Sequence, residues 1–180
     1  MKWALGNIFD YSDREYDDLY KNLSATRKER IDRLKRADDR KRSLLGELLV
    51  LKLLGSYGIS AEILSADNGR PYLSDPSYFI SISHSDEMAV AVICENSVGI
   101  DIEKIRELDL KLVKRVCTVR EAEYVKNGEN PSLNFLEIWT AKEAYFKKEG
   151  TGITNLKSVD ILDKRRKKII QNGYIIQIVY

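Results

Sequence analysis

Asp101 and Glu103 stand two apart in Gly99-Ile100-Asp101-Ile102-Glu103, and Glu143 and Lys147 stand four apart in the stretch that opens with Trp139-Thr140-Ala141-Lys142-Glu143-Ala144. On an extended strand the first two carboxylates point to one side, and on a helix the second pair shares a face. The one histidine of the chain, His84, lies in Ser81-Ile82-Ser83-His84-Ser85. Three carboxylates, a lysine and a histidine set among apolar residues could bind a divalent cation and a phosphorylated substrate. Apolar strands seldom carry two acids without a cation or base partner. An all-oxygen ligand set favours Mg2+ or Mn2+ over zinc.

Each pattern also has a plain structural explanation. Val98, Ile100 and Ile102 make one strand face apolar, and an alternating strand with a wet side would expose Asp101 and Glu103 in just this way. Glu143 and Lys147 could be an ordinary i,i+4 ion pair. His84 could end a strand or make a polar contact, and its flanking serines could hold phosphate oxygens or merely terminate that strand. The spacing by itself leaves both explanations open at each position.

Positioning these groups requires a folded domain. The chain has 180 residues, 43% hydrophobic and 32% charged, which is the composition of a globular protein with one large or two small domains. The net charge of +2 gives no reason to expect a nucleic acid or membrane partner. Positive charge is concentrated in residues 27–42, interleaved with Glu29, Asp32, Asp38 and Asp39, and again in Lys164-Arg165-Arg166-Lys167-Lys168. The first cluster reads as a solvated helix face, or as a contact for a phosphate or an acidic partner. Cys94 and Cys117 have no paired-motif spacing. Together with the lack of an apolar leader and of any apolar run of about 18 residues, this suggests a reduced, cytoplasmic protein that spans no membrane.

The patterning predicts a strand over residues 2–9 and a helix after the capping box Ser12/Glu15. Thr26/Glu29 suggests a second capping box at the start of a basic helix. A leucine-rich helix is expected over 38–56, ended by Gly55 and Gly58. Asn68-Gly69-Arg70-Pro71 reads as a turn, followed by strands over 79–83, 88–94 and 98–102. Helices are expected over 110–116, 121–126 and 132–148, the last stopped by Gly150 and Gly152, then strands over 159–162 and 174–180. This order, helices then strands, occurs twice and suggests halves at 1–96 and 97–180.

Taken together, Asn68-Gly69-Arg70-Pro71, Ile82-Ser83-His84-Ser85, Val98-Gly99-Ile100-Asp101-Ile102-Glu103 and Trp139-Thr140-Ala141-Lys142-Glu143-Ala144 through Lys147 to Gly152 resemble the motifs of the 4′-phosphopantetheinyl transferase superfamily. The closer likeness is to its larger, two-repeat, monomeric class, which activates surfactin-type peptide synthetases. Arg42-Ser43-Leu44-Leu45-Gly46-Glu47 resembles the N-terminal helix of that family, so the likeness covers residues near 24 to 153. Each motif alone is weak, and the order and spacing of all of them are specific.

The resemblance implies an α/β (α+β) fold of two similar halves, each a small sheet packed by helices, with the active site between them. It implies a monomer that moves the phosphopantetheine arm of coenzyme A onto a serine of an apo acyl or peptidyl carrier protein, releasing 3′,5′-ADP. Carriers of fatty-acid, peptide or polyketide synthesis all fit. By the same resemblance, Asp101, Glu103 and Glu143 would hold Mg2+, with Mn2+ as a substitute. Lys147 and Lys142 would lie against the phosphates, and Arg27 and Arg30 would grip the 3′-phosphate. Ser43, Arg70, Ser83 and His84 would make further coenzyme A contacts. Glu121 would be the general base, with Glu123 as its alternative. Cys117-Thr118 stands where the family often has a Phe-Ser-like pair, and the chain is shorter than many two-repeat members. The rival reading is a non-catalytic coenzyme A or carrier-protein binder of the same fold. A nucleic-acid module built on residues 27–42 is disfavoured by the interleaved acids and the absence of a nucleic-acid-binding motif.

Overall fold

The computed structural model describes every residue except 108, 153 and 154, and the side chain of residue 110. The chain forms two compact units, Met1–Val98 and Gly99–Tyr180. In both, small antiparallel sheets are packed by helices, the mixed α/β class expected from the sequence.

The first unit opens with strand β1 (Lys2–Asn7), whose last residue caps a short 3₁₀ turn, Ile8–Asp10. Helix α1 (Asp13–Lys21) starts at the predicted capping box: Ser12 Oγ accepts from Glu15 N–H and the Glu15 carboxylate accepts from Ser12 N–H. Helix α2 (Ala25–Asp32) departs from the prediction. Its N-cap is Ser24, with no side-chain cap. Ser24 Oγ donates to Ile63 O and Thr26 Oγ1 accepts from Ser65 N–H, so both hydroxyls tie the helix to a neighbouring strand instead.

Helix α3 (Ala37–Tyr57) ends at Gly58, in the left-handed region at φ 66°, while Gly55 stays helical. It buries Leu45, Leu49, Val50, Leu53 and Leu54. Strands β2 (Ile63–Ser65) and β3 (Pro71–Leu73) make a two-stranded ribbon around the Asn68-Gly69 turn. Strands β4 (Phe79–Ser85) and β5 (Met88–Cys94) join β1 in a sheet of order β1-β5-β4. Ile82 and α3 sit so close that a Cβ at Gly46 would stand 2.5 Å from an Ile82 methyl. The leucine-rich helix thus supplies the core against which β4 and β5 are fixed.

The second unit opens with β6 (Gly99–Lys104). A 3₁₀ turn, Leu110–Leu112, leads into a short α4 (Val113–Val116), and α5 (Val119–Asn127) follows. Helix α6 (Pro131–Glu149) has Pro131 in its first turn, Asn130 Oδ1 accepting from Leu133 N–H, and Gly150 in the left-handed region as its stop. The strand expected over 159–162 is absent. Asp160 accepts from Leu162 N–H and drives Ile161–Asp163 into a 3₁₀ turn. The basic run near the C-terminus instead begins β7 (Arg166–Gln171), an edge strand whose exposed cations discourage strand addition. Strand β8 (Tyr174–Val179) is buried along its whole length and lies centrally in the order β6-β8-β7. Helix α6 lies on this sheet, and Gly99 permits the approach: a Cβ there would sit 1.9 Å from the Ala144 carbonyl oxygen.

Candidate functional site

Asp101 is 1% exposed and Glu103 half-buried, so a solvated strand face does not account for Asp101. Gly99, Asp101 and Glu103 alternate onto one face of β6, and α6 covers that face at the Gly99 contact. Glu143 and Lys147 come down from α6, one turn apart, onto the same place. Lys147 Nζ lies 2.6 Å from Asp101 Oδ1, bridging helix and strand across 46 residues of sequence.

Asp101, Glu103 and Glu143 each direct a carboxylate oxygen into a cluster in which these atoms lie within 4.8 Å of one another. This is slightly wider than the spacing of about 3–4 Å between ligand oxygens around a small octahedral cation. Burial first, then the charge on Asp101, push the Glu143 carboxyl up to about 7; Lys147 opposes the rise and Glu103 adds to it. A cation drawn among the three would relieve that repulsion. The residues therefore fit a hard divalent ion: oxygen donors only, excess negative charge and a mostly buried setting. Beside Glu103, Leu112, Phe135, Leu136 and Trp139 form an apolar cleft of about 110 Å3, with Arg106 at its rim.

Glu121 and Lys142 are not part of this cluster. Both are wholly buried and lie 2.7 Å apart. Lys142 Nζ also donates to Leu156 O and Val159 O, so its three N–H donors are all used. Glu121 accepts from Thr118 N–H through one oxygen and from Ile161 N–H through the other. The phosphate role carried over to Lys142 and the general-base role carried over to Glu121 would each require these contacts to be broken. Lys142 neighbours Glu143 in sequence, but helical geometry turns it about 100° away, into the core. The pair is a buried clasp joining α5, α6 and residues 155–161. Thr118 Oγ1 extends it to Asp160, and Arg120 pairs with Asp163 alongside. Glu123, by contrast, is exposed on α5.

In the first unit, Arg27 is 4% exposed and its guanidinium is committed to Glu47 and to Ser65 Oγ, the latter at 2.8 Å. A 3′-phosphate grip by Arg27 would require its guanidinium to leave these partners. Arg30, three residues on, faces outward and lines a cavity of about 320 Å3 with Arg33, Thr26, Ser65 and Asn68. Its guanidinium lies over Gly69, where a Cβ would stand 2.8 Å from Nη1. Arg70, in the same turn, is partly buried; its N–H donates to Asn68 Oδ1. Ser43 is half-buried on α3. Ser83 is buried and His84 exposed, and as strand neighbours they face opposite sides of β4. Sequence reasoning overlooked Arg33 and Glu47. Arg33 is one helical turn beyond Arg30, and Glu47 is an acid among leucines that requires a buried partner.

The sequence of residues 97–177 matches the 4′-phosphopantetheinyl transferase superfamily. The chain is 38% identical to the 4′-phosphopantetheinyl transferase gsp of Aneurinibacillus migulanus over 143 residues, 75% of this chain and 59% of that protein. It is 27% identical over 150 residues to the 4′-phosphopantetheinyl transferase Sfp of Bacillus subtilis strain 168, covering 79% of this chain and 67% of that one. It is 32% identical over 165 residues to the 4′-phosphopantetheinyl transferase HetI of Nostoc sp. PCC 7120, covering 84% of this chain and 70% of the relative. The chain thus spans from 59% to 70% of the length of these relatives.

Proposed function

The chain belongs to the 4′-phosphopantetheinyl transferase superfamily, and on that premise we propose that it is a magnesium-dependent transferase that moves the phosphopantetheine arm of coenzyme A onto a serine of an apo acyl or peptidyl carrier protein. The observation that carries the proposal is the cluster of Asp101, Glu103 and Glu143 with Lys147 at its edge. These groups come from a strand and a helix far apart in sequence, and nothing in helix or strand packing calls for three acids there.

In this reading Asp101, Glu103 and Glu143 hold the cation, Mg2+ or in its place Mn2+. When bound, that ion supplies charge neutralisation at the pyrophosphate of coenzyme A. Lys147, one third exposed, places an ammonium against the same phosphates. The apolar cleft beside Glu103 offers a dry wall to the arm next to its phosphate. The serine hydroxyl attacks the phosphorus that carries the arm, the pyrophosphate bond breaks, and 3′,5′-ADP leaves. Such a step depends mainly on positioning and charge, which a fixed carboxylate cluster supplies. The proton of the serine hydroxyl passes to Glu123, exposed on α5, or to Glu121 once it is released from Lys142, Thr118 and Ile161. In the first unit, Arg30 with Arg33 is the better candidate for the 3′-phosphate, and Ser43, Arg70, Ser83 and His84 are proposed as further coenzyme A contacts. The two free thiols accord with a reducing cytoplasm, and a monomer is the proposed working form.

Intact-protein mass spectrometry tests this. An apo carrier protein incubated with the chain, coenzyme A and Mg2+ should gain the mass of one phosphopantetheine arm, and EDTA should abolish the gain. Coenzyme A binding without any mass gain across several apo carriers would instead support a non-catalytic binder.

A further inference from the structure

Gln177 lies in the middle of β8, the central strand of the second sheet, directly across from Asp101 on β6 and from Lys168 on β7. Residues opposite one another in an antiparallel pair share a face. The Gln177 side chain therefore lies on the face that carries Asp101 and Glu103, the face that α6 covers. It is 0% exposed, and neither its amide oxygen nor its amide nitrogen has a hydrogen-bond partner among the described residues. The other residues of that strand are buried too, Ile175, Ile176, Ile178 and Val179 with apolar side chains and Tyr174 at its start with a phenol.

An amide taken out of water and given no partner destabilises a fold, and a hydrocarbon of similar shape would not. Its polar groups must therefore serve something other than the packing around it. Across the sheet on one side, Lys168 Nζ is engaged with Glu137 at 2.7 Å. On the other side is the carboxylate cluster. A carboxamide can donate to a carboxylate and accept from a cation-bound water, which are the two things a cation site asks of its surroundings.

We propose that Gln177 is a positioning residue of the cation site: in the loaded protein its amide donates to the Asp101 carboxylate from the central strand and fixes that ligand's orientation. This rests on the cation-binding reading of Asp101, Glu103 and Glu143. It assigns to β8, which carries no acid of the cluster, a share in the affinity for the ion.

The test is Mn2+ titration of the full chain, read by electron paramagnetic resonance of the free ion, for the parent protein and for Gln177→Met and Gln177→Leu. Cation-free thermal midpoints are recorded alongside. The expected result is Mn2+ affinity about tenfold or more weaker in both variants, with cation-free midpoints equal to or above the parent's. Affinity within twofold of the parent in a folded variant overturns the role of Gln177 and leaves the cation site standing. Loss of fold in both variants also overturns it, because an amide the fold depends on has its partners within the fold. No Mn2+ binding by the parent overturns the cation reading itself and the role of Gln177 with it.

Discussion

At the scale of single residues, two acids close in sequence to reactive-looking neighbours have opposite fates. Glu143 meets other carboxylates, while Glu121 meets a lysine, a backbone N–H and a helix cap. Removing one member of the Glu121–Lys142 pair leaves a buried charge uncompensated. Lys142→Met should therefore cost about 3–5 kcal/mol in urea unfolding, and adding Glu121→Gln should restore a substantial part of that loss. A phosphate-binding lysine would show the reverse, a loss of rate with the fold intact. For Glu143, burial and neighbouring acids raise the folded carboxyl from 4.5 to about 7. Between those values the cation-free folded protein holds a proton that the unfolded chain has released. Stability without cation should thus fall as pH rises through that window. A cation competes with the proton and cancels the repulsion, so the Mg2+-induced rise in thermal midpoint should be larger at about pH 8 than at about pH 5.5, as differential scanning fluorimetry would read. An equal rise at both would mean that Glu143 is not in the ion's reach.

At the scale of elements, the site is a contact between one helix and one strand. Gly99 sets its closeness, since any side chain there would meet the Ala144 carbonyl and Lys148 N–H of α6. Gly99→Ala should push α6 away from β6, destabilising the protein by about 1–3 kcal/mol and weakening Mg2+ or Mn2+ binding in parallel, because Glu143 and Lys147 ride on the helix. The clasp at Thr118, Glu121 and Lys142 holds residues 155–161 against α5 and α6 at three backbone points: Leu156 O, Val159 O and Ile161 N–H. The same clasp accounts for the missing strand there, since those groups bond to side chains instead of to a sheet neighbour.

At the scale of the molecule, each unit encloses its own core beneath a long helix, α3 in the first and α6 in the second. Among the described residues no helix is long and apolar enough to cross a membrane. A net charge of +2 masks the crowding of positive charge into residues 27–42. If the substrate is an acidic carrier protein, that region should steer its approach. Raising NaCl from about 50 to about 500 mM should then lower kcat/KM for the carrier several-fold and change kcat little, because screening acts on encounter rather than on the chemical step. A salt-insensitive kcat/KM would assign the basic stretch to solvation alone.

The amino-acid sequence by itself determined the mixed α/β class, the superfamily and most of the helices. Those properties are written locally, in capping boxes such as Ser12/Glu15, in the leucine periodicity of α3, and in the order and spacing of short motifs. It also picked out Asp101, Glu103 and Glu143, whose oxygens the fold gathers within 4.8 Å. The tertiary structure alone decided which charged residues gather in the carboxylate cluster or face outward and which face the core. Arg27 and Arg30 share a helix, as do Lys142 and Glu143, yet one member of each pair is buried against a distant partner. Those partners, Glu47 and Glu121, lie on other helices, and no local spacing could name them. Gln177 is the extreme case. A lone amide in an apolar strand acquires meaning only from the register that sets it opposite Asp101, and register is settled by the packing of the whole sheet under α6.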